Sequence, residues 1–258
     1  MYTKRTGSGR PLVLVPGVGA AFGTWRFVLD GLAAEREVIA LDLPGFGKTP
    51  LFDGQVTVER YADALEAHLR EQKLEGSDLV GSSLGARLVL EMARRGLGRS
   101  AVALDPGGFW SPTQKKIFGT TLGASVQLVR ALRPALPVLL GNPAGRTALL
   151  AQLSARPWAV PADFALSEVR GLADAPGSSP AIKALASGPN QQGAPAGTLP
   201  GPVLLVWGKQ DRVTPASQAP RAQRLFPDAR LELFDSCGHF PHWDQPARTV
   251  RTILDATA

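Results

Sequence analysis

Apolar positions along the chain form short continuous runs that alternate with stretches of helical periodicity. The runs have the length and composition of strands buried on both faces, and they lie at residues 11–16, 38–41, 78–80, 101–104, 203–207 and 231–234. Between these runs, apolar residues recur at three- and four-residue spacing. One example is the predicted helix that contains Val58, Tyr61, Leu65 and Leu69, for which Thr57 is the expected N-cap. This alternation predicts an α/β fold, with a mostly parallel central sheet and helices on both faces.

The alternation stops between residues 111 and 199. No strand is predicted there, and the helical apolar patterns, three of which stand out, are broken by prolines. From residue 200 the α/β pattern returns, and it ends in a helix expected to begin at Asp244 as N-cap. The sequence therefore predicts a core of residues 1–110 and 200–258, interrupted by a helical cap, or lid, over residues 111–199.

Composition narrows the classes of protein that fit. The chain has 258 residues, 44% of them hydrophobic, which is ample for a buried core. One cysteine excludes an intramolecular disulfide and a Cys-based metal site, and three histidines leave little room for a His-rich one. We therefore expect no metal and no cofactor. No apolar run approaches membrane-spanning length, so we expect a cytoplasmic protein without membrane insertion.

The net charge of +6 is concentrated in the predicted cap, where residues 111–200 carry eight Lys and Arg against three Asp and Glu. The basic residues are dispersed and no aromatic-basic motif accompanies them, so nucleic acid is not an expected partner. A solvated surface is one interpretation of this charge. The other is that the basic cap attracts an anionic substrate or an acidic carrier protein.

The stretch Gly81-Ser82-Ser83-Leu84-Gly85 has the pattern G-x-S-x-G and links a predicted strand to a predicted helix. A serine on such a sharp turn crowds the residues two before and two after it, so both positions favour glycine. Gly81 and Gly85 meet this requirement for Ser83. Ser82 has Val80 and Leu84 at the same distances, so Ser83 is the candidate nucleophile.

Two later loops carry the groups that a serine nucleophile needs. Asp211 and His239 each follow the carboxyl end of a predicted strand, where parallel sheets place functional side chains. Histidine can take the serine proton, and a carboxylate orients the imidazole. Asp105, at the end of an earlier strand, is an alternative acid, and His242 is an alternative base.

Five motifs together resemble the α/β-hydrolase fold superfamily, of the kind that carries a helical cap inserted after the sixth core strand. They are the strand before the turn at residues 17–20, the loop at residues 42–49, the G-x-S-x-G turn, the loop from Gly208 to Asp211, and Gly238-His239. The resemblance covers residues 11–110 and 200–256. The cap matches only in position and helicity.

The resemblance implies a cofactor-independent serine hydrolase that acts on an ester-like carbonyl. Ser83 would be the nucleophile, His239 the base and Asp211 the orienting acid. The backbone N–H groups of Val18 and Leu84 would form the oxyanion hole. One position departs from the family pattern, because Pro16-Gly17 stands where His-Gly is usual.

The same three groups would also serve lactone, thioester or carbon–carbon bond hydrolysis and cofactor-free perhydrolysis, and a non-catalytic ligand-binding member is the alternative from another class. An aspartate nucleophile, as in the epoxide hydrolases of the superfamily, is excluded because residue 83 is serine. We expect a small-molecule substrate with an apolar acyl group. The candidate pocket residues, which are equally suited to the core of the cap, are Phe109, Trp110, Phe118, Trp158 and Phe240.

Overall fold

A seven-stranded sheet forms the centre of the computed structural model, which describes residues 1–258. Its strands are β1 (Thr3–Thr6), β2 (Pro11–Val15), β3 (Glu37–Leu41), β4 (Asp78–Ser82), β5 (Ser100–Leu104), β6 (Val203–Gly208) and β7 (Arg230–Phe234). They lie in the order β1-β3-β2-β4-β5-β6-β7, and all pairs are parallel except β1 with β3. The predicted α/β class with a mostly parallel sheet is confirmed.

Alternate residues of the central strands enter two different hydrophobic cores. Val13 and Val15 of β2 belong to the larger core on one face of the sheet. Leu12 and Leu14 of the same strand belong to a second core on the other face. Side chains along a strand point to opposite faces, so an uninterrupted apolar run fits a sheet that is covered on both sides.

Outside the segment between β5 and β6, the chain forms six helices: α1 (Arg26–Ala33), α2 (Val58–Glu71), α3 (Leu84–Arg94), α9 (Ala219–Leu225), α10 (Pro241–Asp244) and α11 (Pro246–Ala256). Thr57 caps α2 as predicted, because its side chain accepts a hydrogen bond from Arg60 N. The prediction for Asp244 was wrong. Gln245 precedes α11, with Pro246 in its first turn, and Asp244 ends the short helix α10.

Between β5 and β6 the chain forms five helices, α4 (Pro112–Ala131), α5 (Leu136–Gly141), α6 (Pro143–Leu150), α7 (Ala162–Asp174) and α8 (Ser178–Ser187). We call the segment from Pro112 to Ser187 the helical insertion. It lies between β5 and β6 of this chain, a position consistent with the expected cap. No helix anywhere in the structure has the length and apolar character needed to cross a bilayer.

A third hydrophobic core joins the helical insertion to the rest of the protein. It includes Leu136 and Leu140 of α5 and Phe164 of α7, together with Phe240 and Trp243 from the region around α10. The insertion is therefore packed onto the carboxyl-end side of the sheet, the side on which loops after the strands carry functional groups.

Candidate active site

Ser83 lies on a strained turn between β4 and α3. Its backbone has φ 56° and ψ −111°, a combination that non-glycine residues rarely adopt. The turn is held because Ser83 N donates to Leu104 O at 2.9 Å, and Arg87 N donates to Ser83 O at 3.1 Å. The side chain is thereby presented above the carboxyl end of the sheet.

The two glycines that flank Ser83 are required by close backbone packing. A Cβ atom at residue 81 would lie 2.2 Å from Gly85 O, and one at residue 85 would lie 2.0 Å from Val15 O. Both distances are far inside van der Waals contact. The steric argument drawn from the sequence therefore describes the actual constraint at this turn.

The structure brings Ser83, His239 and Asp211 into one hydrogen-bonded chain. Ser83 Oγ lies 2.9 Å from His239 Nε2, and His239 Nδ1 lies 2.9 Å from Asp211 Oδ2. His239 and Asp211 are buried, whereas Ser83 is partly exposed. In this geometry the imidazole can accept the serine proton while the carboxylate fixes the opposite ring nitrogen.

Thr214 completes the surroundings of Asp211, and the sequence analysis did not identify it. Its hydroxyl donates to Asp211 Oδ2 at 2.7 Å and lies 3.3 Å from His239 Nδ1. The backbone N–H groups of Val213 and Thr214 donate to Asp211 Oδ1 at 2.7 and 2.9 Å. The spacing Asp211-x-x-Thr214 is the only local signal for this role, since it allows a side-chain turn around the carboxylate.

Asp105 and Asp211 lie close together but are expected to differ in protonation. Burial, and then the neighbouring Asp211 carboxylate, hold the pKa of Asp105 well above its ordinary value. Burial would also raise the pKa of Asp211, but the charge and hydrogen bond of His239 outweigh it and lower that pKa. The shifts favour the ionised form of Asp211, which is bonded to His239, and the protonated form of Asp105, which accepts a hydrogen bond from Gly208 N at 2.9 Å.

His242 and Cys237 do not compete for these roles. Burial lowers the pKa of His242 to about 3, so the ring is neutral, and it packs against Trp25 with ring centroids 4.5 Å apart. Its Nε2 lies 3.5 Å from Thr24 Oγ1 and Nδ1 has no partner. Burial raises the pKa of the Cys237 thiol, which is the opposite of what a reactive thiolate requires.

The helical insertion holds the loop that carries His239. His239 N donates to Leu153 O at 2.8 Å, and the Asp244 carboxylate accepts from both Gly238 N and Ala155 N, at 2.7 and 2.8 Å. A Cβ at residue 238 would lie 2.8 Å from Ala155 N. Gly238 therefore allows the insertion to approach the backbone beside the histidine.

The turn at residues 17–19 lies against Ser83. A Cβ at residue 17 would be 3.0 Å from Ser83 Cβ, and the backbone N–H groups of Val18 and Leu84 donate to no acceptor within the protein. Helix α7 covers this turn, since a Cβ at Gly19 would lie 2.6 Å from Leu172 Cδ1. This packing fixes the turn although Pro16 stands in place of the usual histidine.

Ser83 and His239 open into a cavity between the sheet and the helical insertion. Its wall is mostly apolar. The lining residues are Val18, Gly19, Ala20, Ser83, Phe118, Leu122, Ser125, Val129, Leu149, Gln152, Leu153, Glu168, Val169, Leu172, Leu185, Val213, His239, Phe240 and Trp243. A cavity with this apolar lining and a few polar groups suits a small, largely apolar ligand.

The five aromatic residues proposed from the sequence as pocket candidates take different positions. Phe118 and Phe240 line the cavity. The other three do not. Phe109 is buried against Trp207 and Phe226, Trp110 packs behind Phe118 with ring centroids 4.7 Å apart, and Trp158 is an exposed residue of the insertion. Aromatic residues near a cap can pack in its hydrophobic core or line the cavity beneath it, and the sequence does not distinguish these two positions.

Ligand atoms of Asp105, Asp211 and His239 lie within 4.8 Å of one another, a separation at which three side chains could hold a metal ion. Here Asp211 and His239 are bonded to each other, and Asp105 accepts from Gly208 N. The Asp211 and His239 atoms that face each other are therefore engaged within the protein, whereas Asp105 Oδ2 has no partner.

The basic residues of the insertion are not part of the cavity lining. Several instead bind backbone carbonyl groups: Lys115 binds Gly188 O, Arg130 binds Ala173 O at 2.8 Å, Arg146 binds Leu140 O at 2.8 Å, and Arg156 binds Asp244 O. Arg133 pairs with Asp174. The positive charge seen in the sequence thus belongs to the outer surface and internal ties of the insertion.

The family model described as the alpha/beta hydrolase family matches residues 12–252 of this chain. The chain belongs to the alpha/beta hydrolase family. This confirms the resemblance carried by the five motifs, and it makes the protein a hydrolase of the α/β fold.

Relatives of this hydrolase have diverse activities. It is 28% identical over 98% of its length to 2-hydroxy-6-oxo-2,4-heptadienoate hydrolase of Pseudomonas putida, of which it covers 90%. It is 32% identical over 74% of its length to epoxide hydrolase EphH of Mycobacterium tuberculosis, of which it covers 91%. It is 28% identical to the dihydrolipoyllysine-residue acetyltransferase component of the acetoin cleaving system of Cupriavidus necator, but spans only 62% of that protein's length.

Solved structures show the same fold. The esterase EaEST from Exiguobacterium antarcticum aligns over 98% of this hydrolase and 94% of its own chain, with a TM-score of 0.78 and 18% identity. A meta-cleavage product hydrolase from Pseudomonas fluorescens aligns over 98% and 92%, with a TM-score of 0.74 and 21% identity. At such identities the similarity concerns the fold alone.

Proposed function

We propose that this protein is a serine hydrolase that cleaves an ester-like carbonyl, in a carboxylic ester or a lactone, through an acyl-enzyme on Ser83. The observation that carries the proposal is the chain of two 2.9 Å contacts from Ser83 Oγ through His239 to Asp211, opening into an apolar cavity. A serine hydroxyl needs such a base to become nucleophilic at neutral pH.

In the proposed reaction, Ser83 Oγ attacks the carbonyl carbon while His239 Nε2 takes its proton. Asp211 holds the imidazole in the correct tautomer and stabilises the imidazolium that forms. The tetrahedral intermediate collapses as His239 gives the proton to the leaving oxygen. A water molecule, activated by the same histidine, then attacks the acyl-enzyme and restores Ser83.

The negative charge that develops on the carbonyl oxygen needs donors that are already in place. The backbone N–H groups of Val18 and Leu84 border Ser83 and have no acceptor of their own, which supports their assignment as the oxyanion hole. Loss of one such donor costs roughly 3–4 kcal/mol of transition-state stabilisation. Contact of Leu172 with Gly19 gives helix α7 a part in keeping the Val18 donor in position.

A carbon–carbon bond hydrolase is the second candidate, favoured by the similarity to the heptadienoate hydrolase over nearly the whole chain. That relative is named for a substrate that carries a carboxylate. The cavity described above has no Lys or Arg in its lining with which to bind one. An aspartate nucleophile is not available, because residue 83 is serine. Ester or lactone hydrolysis is therefore the better match to the cavity.

The proposal is tested with a panel of p-nitrophenyl esters and lactones of graded acyl length. A 2-hydroxy-6-oxo-2,4-dienoate, the type of compound for which the carbon–carbon hydrolase relative is named, is assayed beside them. We expect measurable kcat/KM on esters or lactones, highest for an uncharged acyl group, and a fall of at least about 10⁴-fold in kcat for Ser83→Ala. Activity confined to the carbon–carbon substrate would select the second candidate. Ester hydrolysis that persists in Ser83→Ala would contradict the assignment of the nucleophile.

A further inference from the structure

Glu168 is the only Asp, Glu, Lys or Arg in the lining of the cavity. It lies on α7, near the middle of the helix, among apolar lining residues such as Val169 and Leu172. A carboxyl group in an apolar wall is costly unless it has a use or a partner. The proposed reaction assigns it no role.

The position of Glu168 is fixed relative to the turn that carries the Val18 N–H. Leu172, one helical turn further along α7, packs directly on Gly19, and a Cβ at Gly171 would lie 2.7 Å from Gly19 O. Residues four apart on a helix share a face, with Cβ atoms about 5–6 Å apart. Glu168 therefore lies above the same turn, close to where the scissile carbonyl would lie.

No cation faces Glu168 from the elements packed on α7. Arg130 of α4 and Arg146 of α6 bind backbone carbonyls elsewhere, Lys183 of α8 is exposed, and Arg26 pairs with Asp163 at the start of α7. Helix α5 carries no charged residue. The other titratable side chains on this side are His239 in the cavity and the neutral ring of His242 beside Thr24.

These surroundings favour the protonated form of the Glu168 carboxyl. Burial raises its pKa to about 8, and a weaker opposing interaction with the Thr24 hydroxyl lowers it only slightly. A protonated carboxyl offers one O–H donor and a carbonyl acceptor. The remaining polar pair of the wall is already satisfied, because Ser125 Oγ donates to Gln152 Oε1 at 3.1 Å.

We propose that Glu168 is a specificity-determining residue, which hydrogen-bonds an uncharged keto or hydroxyl oxygen on the acyl chain of the substrate and disfavours acyl chains that end in a carboxylate. The inference rests on the proposed function. Leaving a buried donor without an acceptor costs more binding free energy than forming its hydrogen bond gains. Such a donor therefore discriminates strongly between substrates that carry a suitable oxygen and substrates that do not. The substrate class is therefore an oxygen-substituted acyl ester or lactone.

The test compares methyl hexanoate, its 3-oxo and 5-oxo derivatives, and monomethyl adipate, whose acyl chain ends in a carboxylate. At pH 7 we expect the better oxo ester to exceed methyl hexanoate by about tenfold or more in kcat/KM. Monomethyl adipate should be the poorest substrate. In Glu168→Leu the ratio of kcat/KM for the oxo ester to kcat/KM for methyl hexanoate should fall to about one.

Asp163→Asn is the matched control, since Asp163 lies on the same helix but is exposed and pairs with Arg26 outside the cavity. It should keep the preference of the wild type. Equal kcat/KM for the oxo and plain esters in the wild type, or an unchanged preference in Glu168→Leu, would overturn the inference.

The pH profile gives a readout that a purely structural role would not produce. Ionisation of Glu168 removes its donor and places a negative charge near the developing oxyanion, so kcat/KM for the oxo ester should fall as pH rises through about 8. Glu168→Gln keeps a neutral donor and should lack this fall. The same alkaline decline in wild type and Glu168→Gln would contradict the role.

The failure of this inference is distinguishable from failure of the proposed function. A serine-directed fluorophosphonate labels the enzyme independently of the acyl preference. Labelling of Ser83 without discrimination between the esters would overturn the role of Glu168 alone. Absence of labelling would overturn the proposed function and the inference together.

Discussion

At the scale of single residues, two neighbouring buried carboxyl groups have pKa values shifted in opposite directions beside one imidazole. Asp211 is bonded to His239 Nδ1 and to Thr214, and its pKa is held below the ordinary value. Asp105 has a raised pKa, and its Oδ2 atom has no partner. The lowered pKa of Asp211 and the raised pKa of Asp105 reduce the repulsion between the two carboxyl groups in this buried site.

Substitution of these two acids should therefore have unequal effects. Asp211→Asn changes the tautomer of His239 and should lower kcat about 10⁴-fold. Asp105→Asn keeps a side-chain acceptor for Gly208 N at φ 48°, a conformation that asparagine tolerates, and should change kcat by less than about tenfold. Steady-state kinetics at pH 7 on one ester decide the matter. A larger loss of kcat in Asp105→Asn than in Asp211→Asn would contradict this account and identify Asp105 as the acid that orients His239.

At the scale of elements, the reactive geometry depends on backbones that approach each other closely. Gly81 and Gly85 let β4 and α3 meet under Ser83, and Gly238 lets the insertion reach the histidine loop. Helix α7 both covers the turn at residues 17–19 and carries Glu168 into the cavity. Sheet and insertion thus position one site jointly.

Gly81→Ala tests this dependence at the close contact beneath Ser83. A Cβ there would lie 2.2 Å from Gly85 O, so backbone must move, and we expect a loss of about 1–3 kcal/mol in the free energy of unfolding with a loss of ester hydrolysis. Gly123→Ala in α4 is the control. A Cβ at residue 123 meets nothing within 4 Å, and the change should stabilise by about 0.5–1 kcal/mol. Urea unfolding of both variants measures the difference, and similar values for both would refute the packing argument.

At the scale of the whole molecule, the charge of the insertion is separated from the cavity beneath it. The Lys and Arg residues of the insertion bind backbone carbonyls, pair with carboxylates or lie on the surface. Glu168 is the only Asp, Glu, Lys or Arg among the residues that line the cavity. This arrangement favours a solvated basic surface over a site that attracts an anionic substrate. An acidic carrier protein would have to be recognised from outside the cavity.

Salt dependence distinguishes these two interpretations of the basic surface. Ions at 0.15 M screen exposed charges beyond about 8 Å. We expect kcat/KM for an anionic ester and a neutral ester of equal length to change in parallel, within about twofold, from low to high ionic strength. A steep fall for the anionic ester alone would show that the surface attracts negatively charged substrates.

Much of this architecture could be predicted from the sequence, because it depends on local patterns. Apolar runs predicted six of the seven strands, and glycine spacing distinguished Ser83 from Ser82. Strand β1 was missed, since its Lys4 and Arg5 are typical of an exposed edge and not of a buried run. Which aromatic residues face the cavity depends on the packing of distant helices, and so do the surroundings of Glu168. Neither leaves a local signal.

The central claim is that Ser83 is the nucleophile, and intact-protein mass after treatment with a fluorophosphonate tests it most directly. Ser82 is the internal control, being adjacent, buried and without a hydrogen-bond partner. We predict one adduct on the wild type and on Ser82→Ala, and none on Ser83→Ala. An unlabelled wild type, or undiminished labelling of Ser83→Ala, would contradict the account.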